Sequence, residues 1–237
     1  SKIHTIGVVG AGAMGRGIAQ LCATGGFEVL LFDAAIEAST NALIAVEADL
    51  KQAVAKSKIS EVLALESIAR MKSAVALSEL SQCDLVVEAI VERMEAKQEL
   101  LRSLEKLVSN DCILATNTSS LSVAAIASCC EQPERVAGWH FFNPAPRMKV
   151  VEVIRAPRTA TSVIAALVDV TRRFGHQPIE TIDSPGFVVN HAGRAYFTES
   201  LKLLAENTTS HETLDSIMRV CAGFRMGPTE LLDLTGL

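Results

Sequence analysis

His140 and Glu152 stand in surroundings that neither residue type tolerates without a reason. His140 lies inside the apolar run Val136-Ala137-Gly138-Trp139-His140-Phe141-Phe142, between two aromatic residues. Glu152 lies within residues 149–154, among Val150, Val151, Val153 and Ile154. An ionised carboxylate is costly in such a run unless it has a partner. If the two runs form neighbouring strands, each residue solves the other's problem. The carboxylate fixes the imidazole tautomer and stabilises the imidazolium once the ring takes a proton. A base of that kind can remove a hydroxyl proton while a hydride leaves the same carbon. The pattern alone leaves a plainer reading open, a core histidine with one satisfied hydrogen bond. His4, His176 and His211 are expected at the surface, and His191, beside Asn190, is open.

Other polar residues close apolar runs in the same way. Asp33 follows Glu28-Val29-Leu30-Leu31-Phe32, and Glu92 follows the nearly unbroken run 84–90, the pattern of a strand covered on both faces. Asn117 and Ser119 follow Ile113-Leu114-Ala115-Thr116. In open α/β sheets, ligands bind outside the carboxyl ends of the strands, where these residues would sit. The first of these strands, residues 3–9, ends at Gly10. Gly10, Gly12 and Gly15 fill the G-x-G-x-x-G pattern, with an acid, Asp33, about 20 residues on. The first glycine allows a tight turn, the second lets backbone approach a pyrophosphate, and the third lets helix pack on strand. Gly10, Gly12, Ala13, Met14, Gly15 and Asp33 are thus expected to hold a dinucleotide, with the helix N-terminus offering free N–H groups to its phosphates.

The elements that must position these residues alternate. Helices are expected from Ala35 to Lys58, from Ser60 through Ile68 and Met71, after Glu92 with Met94, Leu101, Leu104 and Val108 on one side, and over residues 161–174. Strands are expected at 28–32, 84–90, 113–116, 136–142, 149–154 and 176–181. This is α/β with a mostly parallel sheet. Asp183-Ser184-Pro185-Gly186 is the strongest breaker in the second half, and beyond it the chain reads helical over 187–205, 211–221 and from Thr229. Two domains follow, residues 1–183 and residues 184–237.

Composition narrows the class. Of 237 residues, 49% are hydrophobic but only 4% aromatic, so aliphatic and alanine packing must dominate the core. A net charge of −5 argues against a nucleic-acid binder. No apolar run reaches the length of a membrane span and no cleavable signal opens the chain, which points to the cytoplasm and leaves an organellar matrix open. The six cysteines show no C-x-x-C and no paired spacing, as expected in a reducing compartment without a metal site. The chain begins at Ser1 without a methionine, pointing to processing or trimming.

Gly10–Gly15 with Asp33, DLVVEAIVE (84–92), NTSSLS (117–122), WHFFNP (139–144), VVEV (150–153), SPGFVVN (184–190) and GFRMGP (223–228) occur in this order. Together they resemble the L-3-hydroxyacyl-CoA dehydrogenase family, which includes 3-hydroxybutyryl-CoA and 3-hydroxyadipyl-CoA enzymes. The resemblance implies a Rossmann-like NAD-binding domain followed by an all-α domain that carries substrate contacts and the homodimer interface. It implies NAD-dependent oxidation of (S)-3-hydroxyacyl-CoA to 3-ketoacyl-CoA, in fatty-acid or aromatic-acid degradation. By matched position, His140 would be the general base, Glu152 its orienting partner, and Ser119 a contact of the reacting oxygen. Asn190 would complete the site. Asp33 would bind the adenosine ribose, Glu92, Lys97, Ser119 and Asn143 would lie along the cofactor's nicotinamide half, and Asn117 would also contact the cofactor. Lys51, Lys56 and Lys58 are candidates for the phosphates of coenzyme A, against a solvated helix end. The sequence departs from the family at His191, Ala195, Arg147 and Arg225, and it stops partway through the helical domain, which is therefore incomplete here. Two other readings stay in view: a non-catalytic crystallin-like relative, and a dehydrogenase of free 3-hydroxy acids, which would use a catalytic lysine. A flavoprotein sharing the glycine pattern is a third.

Overall fold

The computed structural model describes residues 3–236; Ser1, Lys2 and Leu237 lie outside the described residues. The chain divides into two compact units with the boundary after Pro185. In the first, β1 (Thr5–Val9), α1 (Ala13–Thr24) and β2 (Glu28–Phe32) form the opening βαβ unit, followed by α2 (Ile36–Ala55), α3 (Glu61–Ala69) and β3 (Met71–Ala74). Then come β4 (Leu85–Glu88), α4 (Met94–Leu107), β5 (Ile113–Thr116), α5 (Val123–Ala127), β6 (Val136–Phe141), β7 (Val150–Arg155), α6 (Thr161–Arg173) and β8 (Gln177–Ile182). The eight strands make one sheet in the order β3-β2-β1-β4-β5-β6-β7-β8. Every pairing is parallel except β6 with β7.

Period-two alternation sends the side chains of the central strands to two separate cores. Leu85 and Val87 join Ile18, Leu21, Phe27, Trp139 and Leu167 on one face. Val86 joins Leu101, Leu104, Leu114 and Ile126 on the other. A sheet covered on both faces buries both sides of its strands, which explains the unbroken apolar run in β4. Ser60 caps α3, its hydroxyl accepting from the Leu63 N–H at 3.1 Å, and Ser122 caps α5 in the same manner.

Two elements depart from the sequence reading. Met71, read as the end of a helix, instead starts the edge strand β3 and pairs with Val29. β3 is four residues long with an exposed Lys72 between its buried ends, too short for a period to emerge. α5 is a five-residue helix that the sequence reading did not contain. His176, expected at the surface, is buried: its Nε2 lies 3.0 Å from the Ala145 carbonyl oxygen and its Nδ1 3.3 Å from that of Phe174. Two backbone acceptors and the edge of the Phe174 ring make an interior site for a residue whose neighbours, Gly175 and Gln177, look like a surface turn.

The second unit contains α7 (Val189–Ala205), α8 (His211–Val220) and α9 (Pro228–Thr235). Asp215, buried on α8, accepts hydrogen bonds from the Thr229 N–H at 2.9 Å and from the Thr229 hydroxyl, at the start of α9. Tyr196 on α7 donates to the Met226 carbonyl at 2.8 Å and stacks on Phe224. No helix among the described residues is long and apolar enough to cross a membrane.

The turn between β1 and α1 is the tightest packing constraint in the first unit. A Cβ on Gly15 would lie 1.7 Å from the Gly10 carbonyl oxygen, whereas one on Gly12 would meet nothing within 4 Å. Gly15→Ala should therefore cost at least about 1–3 kcal/mol in urea unfolding, the scale of an overpacked site. Gly12→Ala, at an extended N-cap position, should cost less than about 1 kcal/mol. Equal losses at the two positions would contradict the packing.

Candidate active site

The antiparallel pairing of β6 and β7 sets the register that places His140 directly opposite Glu152. The imidazole Nδ1 lies 2.7 Å from Glu152 Oε2. Both side chains are buried, Glu152 completely. With Nδ1 against an ionised carboxylate, a neutral ring would carry its hydrogen on Nδ1 and keep Nε2 as the basic nitrogen. Phe142 packs beside the ring, 4.6 Å between centroids. On the far side of the strand, Trp139 donates to the Thr171 hydroxyl at 2.9 Å and anchors β6 in the core.

The segment after β5 is pinned to the same strand ends. Asn117 accepts the Phe141 N–H through Oδ1 at 2.9 Å, so it ties the end of β5 to the end of β6, one residue from His140. Glu92, after β4, holds the next three residues. Its Oε1 accepts from the Thr118 hydroxyl at 2.6 Å, the Ser119 N–H at 2.8 Å and the Ser120 N–H at 3.2 Å. The Ser119 hydroxyl is 3.3 Å from the same oxygen. Burial alone would raise the Glu92 pKa. The Thr118 hydroxyl, the Lys97 ammonium and the Ser119 N–H outweigh it and hold the carboxyl at about 2. A lowered folded-state value means that these contacts stabilise the protein above about pH 4.5 and are lost as the pH falls toward 2.

Lys97, expected along the cofactor, is instead interior, with 1% of its surface exposed. Its Nζ lies 2.8 and 2.9 Å from the two oxygens of Glu88 and 3.2 Å from Glu92 Oε2. Glu88 also accepts from the Thr116 hydroxyl. The lysine thus bridges a fully buried carboxylate and a half-exposed one, and it reaches the site through Glu92. The sequence reading missed Glu88, Thr116 and Thr118 because each sits in a run that looks like strand or polar loop. It also missed Asp183. That residue accepts from the Ser122 hydroxyl at 2.8 Å and from the Val123 and Ala124 N–H groups at 3.0 and 2.7 Å, anchoring the far end of the Ser119 segment. Its position before Ser184-Pro185-Gly186 is the one signal that could have drawn attention to it.

At the other end of the sheet's carboxyl edge, Asp33 accepts from the Ala11 N–H at 2.7 Å and from the Ala35 N–H at 3.0 Å. Gly10 has φ of 102° and donates to the Phe32 carbonyl, so the chain turns sharply out of β1. The space a Cβ would take at Gly12 is open, at the N-terminus of α1, where backbone N–H groups have no helical acceptor. Open backbone at the helix start, with Asp33 beside the turn, fits the pyrophosphate and ribose of a dinucleotide. Among the described residues, no group of three or more His, Cys, Asp or Glu side chains could hold a metal ion.

Alongside α1 runs a cleft of about 820 Å³ that reaches Asn143 in the turn between β6 and β7. Arg16, Lys56, Lys58, Arg147, Lys149 and Arg173 line it, with Asp49 as its one acid. Arg173 lies over the Phe27 ring, 3.9 Å from its centroid. Lys51, grouped with Lys56 and Lys58 by sequence, does not line this cleft. One helical turn earlier on α2, it pairs with Glu47 at 2.5 Å, both side chains being well exposed. Asn190 lies in the first turn of α7, in the second unit.

Residues 5–184 match the model of the 3-hydroxyacyl-CoA dehydrogenase NAD-binding domain, and residues 186–237 match that of the 3-hydroxyacyl-CoA dehydrogenase C-terminal domain. The 3-hydroxyadipyl-CoA dehydrogenase of Escherichia coli is 41% identical over 99% of this chain and 50% of its own length. The human mitochondrial hydroxyacyl-coenzyme A dehydrogenase is 40% identical, over 99% of this chain and 77% of its own. Among solved structures, the 3-hydroxybutyryl-CoA dehydrogenase of E. coli superposes with a TM-score of 0.97 at 40% identity, over 99% of this chain and 50% of that one. The (S)-3-hydroxybutyryl-CoA dehydrogenase of Ralstonia eutropha gives 0.95 at 35%, over 99% and 83%. This chain thus spans about half the length of the E. coli relatives. A Rossmann-like sheet with an open glycine turn, a buried histidine–glutamate pair at its carboxyl edge and two matching family domains make the chain a member of the 3-hydroxyacyl-CoA dehydrogenase family, with NAD as its cofactor.

Proposed function

We propose that this chain catalyses the reversible oxidation of an (S)-3-hydroxyacyl-CoA to the 3-ketoacyl-CoA with NAD. The observation that carries this reading is the buried 2.7 Å contact between His140 and Glu152 at the carboxyl edge of the sheet. NAD, when bound, supplies the acceptor for the hydride from C3. His140 Nε2 takes the proton of the 3-hydroxyl as the C=O bond forms, while Nδ1–H stays on Glu152. Glu152 favours the imidazolium that results, and in the reverse direction the same Nε2–H returns the proton to the alkoxide. Ser119 is assigned to the reacting oxygen, with Glu92 holding its segment, and Asn143 to the nicotinamide half of the cofactor. Asn190, in the second unit, is assigned to the same reaction.

The cleft cations extend the coenzyme A reading. Arg16, Lys56, Lys58, Arg147 and Lys149 make no ion pair with another described residue, so the cleft is a region of unneutralised positive charge suited to the phosphates of a nucleotide. Lys51 leaves this group. The helical unit is assigned the homodimer contact, residues 1–183 the cofactor and 184–237 the remainder of the substrate site. A cytoplasmic or matrix location agrees with six unbridged cysteines.

His140→Ala should lower kcat for acetoacetyl-CoA reduction by roughly 10²–10⁴-fold, the usual worth of general acid–base catalysis; kinetics close to the parent would remove His140 from the reaction. Glu152→Gln should lower kcat while leaving the NADH dissociation constant nearly unchanged, because it acts through the imidazole. An unaltered kcat would break the pairing. Asp33 should make NAD preferred over NADP, since a carboxylate repels a 2′-phosphate. Equal kcat/KM with both cofactors would refute that role. The rival readings are separated by the same assay: a crystallin-like relative shows no turnover, and a free-acid enzyme reduces 3-keto acids without coenzyme A.

A further inference from the structure

We infer that Glu92 sets the preference of the bound cofactor for its oxidised or reduced state, favouring the oxidised form through an uncompensated negative charge. The inference rests on NAD binding in the orientation of the proposed function. In this sheet the strand order reverses between β1 and β4, and a dinucleotide lies across that point. Asp33, after β2, marks the adenosine side, so the nicotinamide side lies over the ends of β4 and β5. Those ends carry two carboxylates and one ammonium. Lys97 is shared by Glu88 at 2.8 and 2.9 Å and by Glu92 at 3.2 Å. Glu88 is fully buried and Lys97 nearly so, which leaves the pair internally neutral. The excess charge therefore falls on Glu92, the member with 36% of its side chain exposed.

Among the described residues, no other cation forms an ion pair with it. Arg93, next in the chain, forms no ion pair with another described residue. The remaining partners of Glu92, Thr118, Ser119 and Ser120, are neutral donors. The Thr118 hydroxyl, the Lys97 ammonium and the Ser119 N–H hold the Glu92 carboxyl at about 2, well below neutral pH. Oxidised and reduced cofactor share every phosphate and ribose and differ by one positive charge on the nicotinamide ring. A net negative group on that side lowers the energy of the oxidised form alone. Glu92 thus joins two tasks. It orders the Ser119 segment through neutral hydrogen bonds, and it biases the redox state of the ligand through its charge.

The two tasks separate by substitution. Glu92→Gln keeps the side-chain oxygen that accepts from Thr118, Ser119 and Ser120 and removes only the charge. Glu92→Asp keeps the charge and shortens the reach to the segment. The readout is the ratio of dissociation constants, NADH over NAD⁺, from NADH fluorescence titration and NAD⁺ competition, with thermal melting to establish that each variant is folded. Glu92→Gln should lower that ratio by about five- to tenfold, the scale of one charge a few ångströms away in a half-exposed site, while Glu92→Asp keeps it within about twofold. In the unsubstituted protein, raising the salt concentration should move the ratio in the direction of Glu92→Gln, because an exposed charge is screened. A ratio unchanged in Glu92→Gln, or unchanged by salt should that variant not fold, overturns the inference and leaves the cofactor assignment standing. Failure of the unsubstituted protein to bind either cofactor overturns both.

Discussion

A carboxylate with no exposed surface, in the middle of a strand, is the constraint on which the site depends. The antiparallel register of β6 and β7 sets His140 against Glu152, with Nδ1 2.7 Å from Oε2, and so supplies a partner of the kind a buried carboxylate needs. That register is in turn the one break in an otherwise parallel sheet. A parallel neighbour would need a long crossover, whereas the short turn through residues 142–149 brings β7 back beside β6 at once. The same turn carries Asn143 and lines the cationic cleft, so one change of strand direction organises both the histidine–glutamate pair and the surface beside it.

The rest of the carboxyl edge is held by side chains that accept backbone N–H groups. Asn117 takes the Phe141 N–H, Glu92 takes those of Ser119 and Ser120, and Asp183 takes those of Val123 and Ala124. Ser119 and Ser120 lie in no regular element, whereas Val123 and Ala124 open α5 and Phe141 ends β6, and each is fixed by a side chain from another part of the chain. Precise placement of Ser119 relative to His140 therefore comes from a set of cross-connections rather than from a single rigid element. Lys97 adds a deeper layer, since it fastens Glu92 to Glu88 beneath it. Charge and position are thus controlled by the same few residues.

Much of this was legible in the sequence because it follows from cost. A histidine between Trp139 and Phe141, and a glutamate among valines, ask for each other wherever the strands run. Strands buried on both faces announce themselves as unbroken apolar runs, and Gly10 and Gly15 mark a turn that no other residue fits. What was not legible depends on depth. Lys97 sits on an amphipathic helix where a lysine ordinarily faces water, and only the three-dimensional position of Glu88 reveals that it points inward. His176 reads as part of a polar turn until Ala145 and Phe174 are seen to close over it. β3 and α5 are too short for periodicity. Lys51, Lys56 and Lys58 look equivalent along α2 and its end, yet the helix turn assigns one to an exposed pair with Glu47 and the other two to the cleft.

The central claim is that Glu152 holds His140 as the tautomer protonated on Nδ1, leaving Nε2 to exchange a proton with substrate. Nitrogen-15 NMR of the histidine side chains, with His140 assigned by comparison with His140→Gln, reads this directly. For the neutral ring the account predicts a protonated Nδ1 and an unprotonated Nε2, with that arrangement lost in Glu152→Gln. An Nε2-protonated ring in the unsubstituted protein, or a tautomer indifferent to Glu152, would contradict it.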